Sequence, residues 1–258
     1  MGHMHYLTLF AILGLVTGSF LNVYAYRVPK GESAVKGRSY CPSCRHTLSA
    51  IELIPVLSWL FLLGKCRHCM ARISPRYIVV ELTTAASYML AYWYSDSLHS
   101  AVLNCAFISV LIVVSLIDID TREISNRAVF VILGLAILSF GTEWADGELY
   151  VMRAVWKVVG FLAVSLPMFV IAYFTDGFGG GDIKLMAAAG LYLGTVGVVL
   201  AFLVGAFLGA AYGLSLILRK KVSKRLAIAF GPCLSAGITF NLLFGSWTVN
   251  KSLALFGL

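Results

Sequence analysis

From Leu185 to Leu218 the chain runs 34 residues without a charged side chain. A helix needs about 20 apolar residues, roughly 17–25, to cross hydrocarbon. The stretch is too long for one crossing and short for two. Gly194-Thr195-Val196-Gly197 is the natural place for a turn, because glycine admits backbone geometry closed to other residues. Similar apolar blocks recur along the chain. They predict eight membrane segments, at roughly 6–26, 77–94, 101–117, 128–141, 154–174, 183–194, 198–218 and 226–247. Composition agrees: 60% of the residues are hydrophobic and only 12% are charged, whereas a soluble domain has about a quarter charged. A soluble surface of this size cannot be covered with so few charges. The fold class expected is an all-α polytopic membrane protein of about eight transmembrane helices, with one polar insertion.

The first apolar block lacks the basic leading region and the A-x-A-like site of a cleaved signal peptide. It runs into Arg27 and a basic loop, as a retained first span would. Residues 1–3 read as a remnant of expression ahead of Met4. The domain reading is therefore residues 1–26 as the first transmembrane helix, 27–76 as a cytosolic four-cysteine loop, and 77–258 as the membrane core.

Lys and Arg concentrate in cytoplasmic loops. Residues 27–76 carry nine of them, 118–127 two, Lys184 one and 219–225 five, which makes 17 of the chain's 20. The remaining three, Arg153, Lys157 and Lys251, share their loops with acids such as Glu143, Asp146 and Glu148. Both termini are placed outside and the large loop in the cytosol. The net charge of +8 is met by the lipid bilayer and the insertion rule, and needs no nucleic acid.

Within 27–76, Cys41-Pro42-Ser43-Cys44 is followed after 21 residues by Cys66-Arg67-His68-Cys69. Two C-x-x-C knuckles at about this distance are a zinc-ribbon pattern. The two-residue gap lets both thiolates of a knuckle face one ion, and four thiolates close a tetrahedral shell that is structural rather than catalytic. Cys41, Cys44, Cys66 and Cys69 are the expected ligands of a structural Zn2+. Cytosolic placement argues against disulfides. Cys105 and Cys233 sit in apolar spans and read as small hydrophobes. Between the knuckles, the run Ile51–Phe61 is too short to span. It is apolar, holds a proline and has an aromatic suited to the headgroup level, so it is expected to lie against the membrane.

Ionisable residues in or at the edge of spans are costly and usually functional. Asp118 ends the run Val110–Ile117, and Asp182 closes Gly177-Phe178-Gly179-Gly180-Gly181. In the topology above both fall at cytosolic span ends, at one membrane depth. Two neighbouring carboxylates cannot both ionise cheaply, so one can act as acid while the other acts as base toward water. The glycines, Gly179 and Gly181 among them, let backbone bring Asp182 close to a peptide. Asp120 competes with Asp118, but two residues apart on a helix they face opposite ways.

These motifs, in this order, resemble the bacterial type IV prepilin peptidases, membrane aspartyl proteases of the GxGD type. Gly18-Ser19-Phe20-Leu21-Asn22-Val23 with Arg27 is similar to the family's first-span motif. The paired knuckles resemble its cytosolic loop, and Ile73-Ser74-Pro75-Arg76-Tyr77 leading to Glu81-Leu82 its entry to the second span. Gly179-Gly180-Gly181-Asp182 with Lys184-Leu185 matches the GxGD motif. The family's other catalytic aspartate begins a pattern D-x-x-x-x-x-(I/L)-P-(D/N). Asp118 begins it here and Ile124-Ser125-Asn126 ends it, with Ser125 in the place of proline. A looser helix start, capped by Ser125, is expected there.

The resemblance implies leader-peptide cleavage of prepilin or pseudopilin substrates on the cytosolic side of the inner membrane, after a glycine. It implies methylation of the new α-amine from S-adenosylmethionine, because relatives with the long loop tend to carry both activities. It implies Asp118 and Asp182 as the catalytic pair. The residues that would hold S-adenosylmethionine are not legible, and no oligomeric state follows. Glu81 is a candidate for binding cationic groups or for a structural ion pair, and Asn22 for a hydrogen bond between helices or an active-site role. The alternatives weighed are a GxGD peptidase without methylation and, remotely, a non-enzymatic zinc-stabilised membrane scaffold.

Overall fold

A computed structural model describes residues 2–143, 148–175, 177–218 and 229–255. The elements are α1 (Gly2–Arg27), α2 (Leu57–Phe61), α3 (Arg76–Tyr94), α4 (Leu98–Thr121), α5 (Asn126–Glu143), α6 (Glu148–Ala163), α7 (Ser165–Thr175), α8 (Gly180–Leu218) and α9 (Gly231–Leu255), with short 3-10 turns at Val28–Lys30 and Ile51–Leu53. Among the described residues there is no strand, only two isolated bridges, Tyr40–Thr47 and Lys65–Arg72. The predicted basic loop 219–225, the first residues of the last predicted span (226–228) and Asp146 lie outside the described residues.

The all-α membrane class holds. Four stretches among the described residues are long and apolar enough to cross a membrane: His3–Lys30, Leu98–Thr121, Val151–Thr175 and Gly180–Leu218. Asn126–Phe140 and Gly231–Gly245 are apolar but shorter. The expected number of about eight spans is thus not reached by length and composition alone. The 34-residue apolar run explains part of the difference. It is one element by hydrogen bonding, α8, but Gly194 leaves helical geometry at φ 75° and ψ 179° and parts it into two helices. The chain reverses there, inside the expected turn: Phe178, just ahead of α8, lies 6.3 Å ring to ring from Phe202 beyond the break, and Gly209 meets Phe230, which also packs on Phe178.

Two compact units are distinguished, Met1–Trp93 and Tyr94–Leu258. In the first, α1 packs on α3 through glycines. A Cβ on Gly14 would fall 2.5 Å from the Ala85 Cα, and one on Gly18 would fall 2.8 Å from the Glu81 Cα. Small residues allow such approach where lipid supplies no hydrophobic drive between helices. The run between the knuckles forms the second 3-10 turn and α2. Its two aromatics part company. Trp59 turns inward, with Nε1 donating to the Ile73 carbonyl at 3.4 Å and its ring against Gly64. Phe61 stands 83% exposed, beside exposed Leu57, Leu60 and Leu63.

The second unit has one apolar core. Phe107, Leu111 and Val114 of α4, Val129 and Ile132 of α5, Met168 of α7, Leu185 and Met186 of α8, and Leu234 and Ile238 of α9 are all buried in it. Again glycines set the helix crossings. Gly160 of α6 and Gly190 of α8 face each other so closely that a Cβ on either would meet the other's carbonyl oxygen. Gly237 of α9 meets Ala201 and Gly205 of α8 in the same way.

These contacts distinguish two glycines in similar helical settings. Gly190→Val is expected to cost about 1–3 kcal/mol by overpacking and to lower the thermal unfolding midpoint in detergent. Gly134→Ala, where a Cβ would meet nothing within 4 Å, is expected to leave the midpoint unchanged or slightly raised.

Candidate active site and metal centre

Asp118 lies on the last turn of α4 and is 6% exposed. Its backbone is fixed by the helix stop, where Arg122, at φ 58°, donates its N–H to the Asp118 carbonyl. Its carboxylate is met by a different helix. The Gly231 N–H, which begins α9, donates to Asp118 Oδ2 at 2.9 Å. The first N–H groups of a helix have no partner within it and favour negative charge. Glycine at 231 leaves this carboxylate undisturbed, since a Cβ would lie 2.7 Å from Asp118 Oδ2 and push it aside. Sequence reasoning passed over this residue; its only signal was a Gly-Pro pair opening an apolar run.

Asp182 sits in the first turn of α8 and is half-buried. The glycines before it shape that start. The Gly179 carbonyl accepts the Ile183 N–H at 3.3 Å, and a Cβ on Gly179 would come 3.3 Å from Asp182 Oδ2. A Cβ on Gly181 would fall 2.8 Å from the Ile124 Cβ, so glycine lets α8 begin against the connection between α4 and α5. The two aspartates come to one end of the second unit: Gly231 meets Asp118, and Phe178, four residues before Asp182, packs on Phe230 with ring centroids 6.1 Å apart. Asp120, the competitor, is exposed. At the start of α5, the Ser125 hydroxyl accepts the Arg127 N–H at 3.3 Å, the N-cap expected where the family pattern has proline.

In the first unit the two knuckles fold alike. The Cys41 N–H donates to the His46 carbonyl and the Arg45 N–H to the Cys41 carbonyl. The Cys66 N–H donates to the Ala71 carbonyl and the Met70 N–H to the Cys66 carbonyl. The residue after the second cysteine takes positive φ in each, 60° at Arg45 and 57° at Met70. The repeated turn brings the four sulfurs within 4.8 Å of one another, with Cys41 and Cys69 Sγ 3.9 Å apart. That spacing and donor set fit a tetrahedral metal ion.

The thiols' electrostatics point the same way. Backbone N–H groups, that of Cys44 foremost, bring the Cys41 thiol down to about 7. At Cys69 the Ala71 N–H also lowers the thiol, but desolvation and the three neighbouring sulfurs outweigh it and push it up to about 11. Four thiolates so close need a cation among them. His46 and His68, one from each knuckle segment, lie with ring centroids 3.5 Å apart and planes tilted by 34°. Glu52, between the knuckles, accepts from the Ser49 N–H at 2.8 Å and the Ser49 hydroxyl at 2.7 Å. These bonds hold its carboxyl below its usual range.

Glu81 and Asn22 are both buried, at 5% exposure. Glu81 Oε2 accepts the Val56 N–H at 2.7 Å, and the Ser19 hydroxyl also reaches the carboxylate. Val56 is held at φ 61°, a conformation unfavourable for a β-branched residue. Glu81 thus ties the four-cysteine loop to α3 through backbone. Asn22 Nδ2 donates to the Gly18 carbonyl at 3.1 Å and to the Tyr77 carbonyl of α3 at 3.4 Å, a hydrogen bond between helices.

Fold and site together define a helical membrane protein with two acids at neighbouring helix ends in its second unit and a four-thiol metal-type cluster in its first. Two family models match the chain: the bacterial peptidase A24 N-terminal domain over residues 12–95 and the type IV leader peptidase family over residues 105–214. The chain is 37% identical to a prepilin leader peptidase/N-methyltransferase of Bacillus subtilis, over 95% of this chain and 96% of that protein. It is 33% identical to one of Burkholderia pseudomallei, over 91% of this chain and 84% of that protein. It is 30% identical to one of Aeromonas salmonicida, over 93% and 91% respectively. No solved structure matches it. The chain belongs to the type IV leader peptidase family.

Two outcomes follow from the geometry. Gly231→Ala displaces the Asp118 carboxylate and is expected to lower peptidase turnover roughly 100-fold, the order of loss that a 1 Å misplacement brings, while the chain still folds and keeps its metal. Elemental analysis of the purified protein is expected to show metal in equimolar amount with chain, and Cys41→Ser to lose it.

Proposed function

We propose that this chain removes the leader peptide from type IV prepilin-like or pseudopilin substrates and then methylates the new N-terminal amine. The observation that supports the peptidase reading is the convergence of the end of α4, which carries Asp118, and the start of α8, which carries Asp182, on Phe230 and Gly231. Likeness over nearly the full length to relatives named for both activities supports the second step.

In this mechanism Asp118 and Asp182 share one proton. The ionised partner takes a proton from a water molecule, whose oxygen attacks the scissile carbonyl carbon. The protonated partner stabilises the oxyanion and passes a proton to the leaving amine, which frees the leader's carboxylate and the mature chain's α-amine. The Gly231 N–H fixes the Asp118 carboxylate in place. The glycines before Asp182 leave room for a peptide backbone. S-adenosylmethionine supplies the methyl group in the second reaction. Zn2+ is the metal we assign to Cys41, Cys44, Cys66 and Cys69, because four thiolates in a closed shell suit it. Its role is to hold residues 27–76 in shape.

In this reading residues 1–26 anchor the loop 27–76, and residues 77–258 form the protease core. The loop and both aspartates face the cytosol, as the Lys and Arg bias supports, in the inner membrane with both termini outside.

The test is the intact mass of a prepilin after incubation with the purified protein and S-adenosylmethionine. Loss of the leader and gain of one methyl group is expected from the native chain. Asp118→Ala and Asp182→Ala are each expected to abolish cleavage and with it methylation, while a precleaved peptide is still methylated. Cleavage without methyl gain would leave a peptidase alone, and full cleavage by either variant would remove that aspartate from the mechanism.

A further inference from the structure

Lys184 lies two residues beyond Asp182, on the other side of the first turn of α8. Its Nζ donates to Asn126 Oδ1, at the start of α5, at 3.1 Å. Below this pair runs a groove of about 310 Å³, lined by Asn126, Val129, Phe130 and Leu133 of α5, Phe161 of α6, and Lys184, Ala187 and Ala188 of α8. The groove exists because α8 presents alanines where α5 and α6 present bulky rings. Its walls are apolar, its one charged lining residue is the lysine, and it opens outward at Phe130, which is 71% exposed.

We propose that this groove binds one acyl chain of an anionic phospholipid, with the headgroup phosphate on Lys184. Three features select this occupant. An ammonium has three donors, of which Asn126 uses one, so donors remain for a phosphate. The helix that lines one wall continues with exposed apolar side chains, Val131, Ile137 and Leu138 of α5, which in a membrane protein makes bilayer lipid the neighbour at hand. A groove of about 310 Å³ is too small to enclose a helix, whose diameter with side chains is about 10–12 Å, which favours a thin acyl chain over the apolar segment of a helical substrate. A single chain entering from the side, with its head at the helix starts, fits. The bound lipid would brace α5 against the first turn of α8, the turn that carries Asp182.

The test is native mass spectrometry of the full-length protein titrated in detergent with dioleoylphosphatidylglycerol or dioleoylphosphatidylcholine. The native chain is expected to retain the phosphatidylglycerol about fivefold more than the phosphatidylcholine, as one interfacial cation facing an anionic headgroup implies. Lys184→Gln is expected to bring the two lipids to parity. Leu133→Trp, which fills the groove, is expected to reduce retention of both. Phe130→Ala removes an exposed wall without touching the core and is expected to do the same, which keeps the test decisive if the tryptophan variant folds poorly. Equal retention of the two lipids by the native chain would overturn the proposal. So would phosphatidylglycerol retention that none of the three variants changes, or its displacement by a prepilin peptide, which would give the groove to the substrate. A loss in Lys184→Gln alone would overturn the acyl-chain part and leave a surface headgroup contact.

Discussion

A carboxylate buried at the end of an apolar helix has to be met by a donor, and the arrangement of the second unit turns on which donor meets Asp118. It is the first N–H of α9, some 113 residues away along the chain. That bond places the start of α9 over the end of α4, and the absence of a side chain at residue 231 makes the approach possible. The start of α8 is brought to the same place by another glycine, Gly181, lying against Ile124. Two acids from distant segments therefore share a site because backbone, rather than side chains, fills the space around them.

The same device recurs at three other helix crossings among the described residues. Gly14 and Gly18 seat α1 on α3, Gly160 and Gly190 seat α6 on α8, and Gly205 and Gly237 seat α8 on α9. In a bilayer the lipid is as apolar as the helix, so association depends on close packing and on hydrogen bonds between helices. Asn22 reaching the Tyr77 carbonyl is the polar counterpart of these crossings in the first unit. A chain with so few charges holds its shape mainly by letting backbones touch.

The four-cysteine loop follows a different logic. It has little core of its own, and its apolar residues between the knuckles, such as Phe61 and Leu63, stand exposed. Its order comes from two repeated turns, from the convergence of four sulfurs, and from the Glu81 carboxylate that holds Val56 in an unfavourable conformation. A loop built in this way depends on its tether and on what the four sulfurs can hold together.

Much of this was legible in the chain itself. Hydropathy gave the membrane class, because hydrocarbon admits only helices whose backbone is satisfied internally. The knuckle spacing predicted one four-sulfur cluster, because a two-residue gap aims both thiols at one point. The aspartates stood out because charges at span ends are costly, and the glycine run before Asp182 marked close backbone approach. The sequence also located the weak point of its longest apolar run at Gly194. What it left open were the contacts set by distant segments: that Gly231 donates to Asp118, that Glu81 accepts the Val56 N–H, and that alanines of α8 leave a groove beside Lys184. Local pattern reports what a residue prefers, and only packing decides which distant backbone it meets.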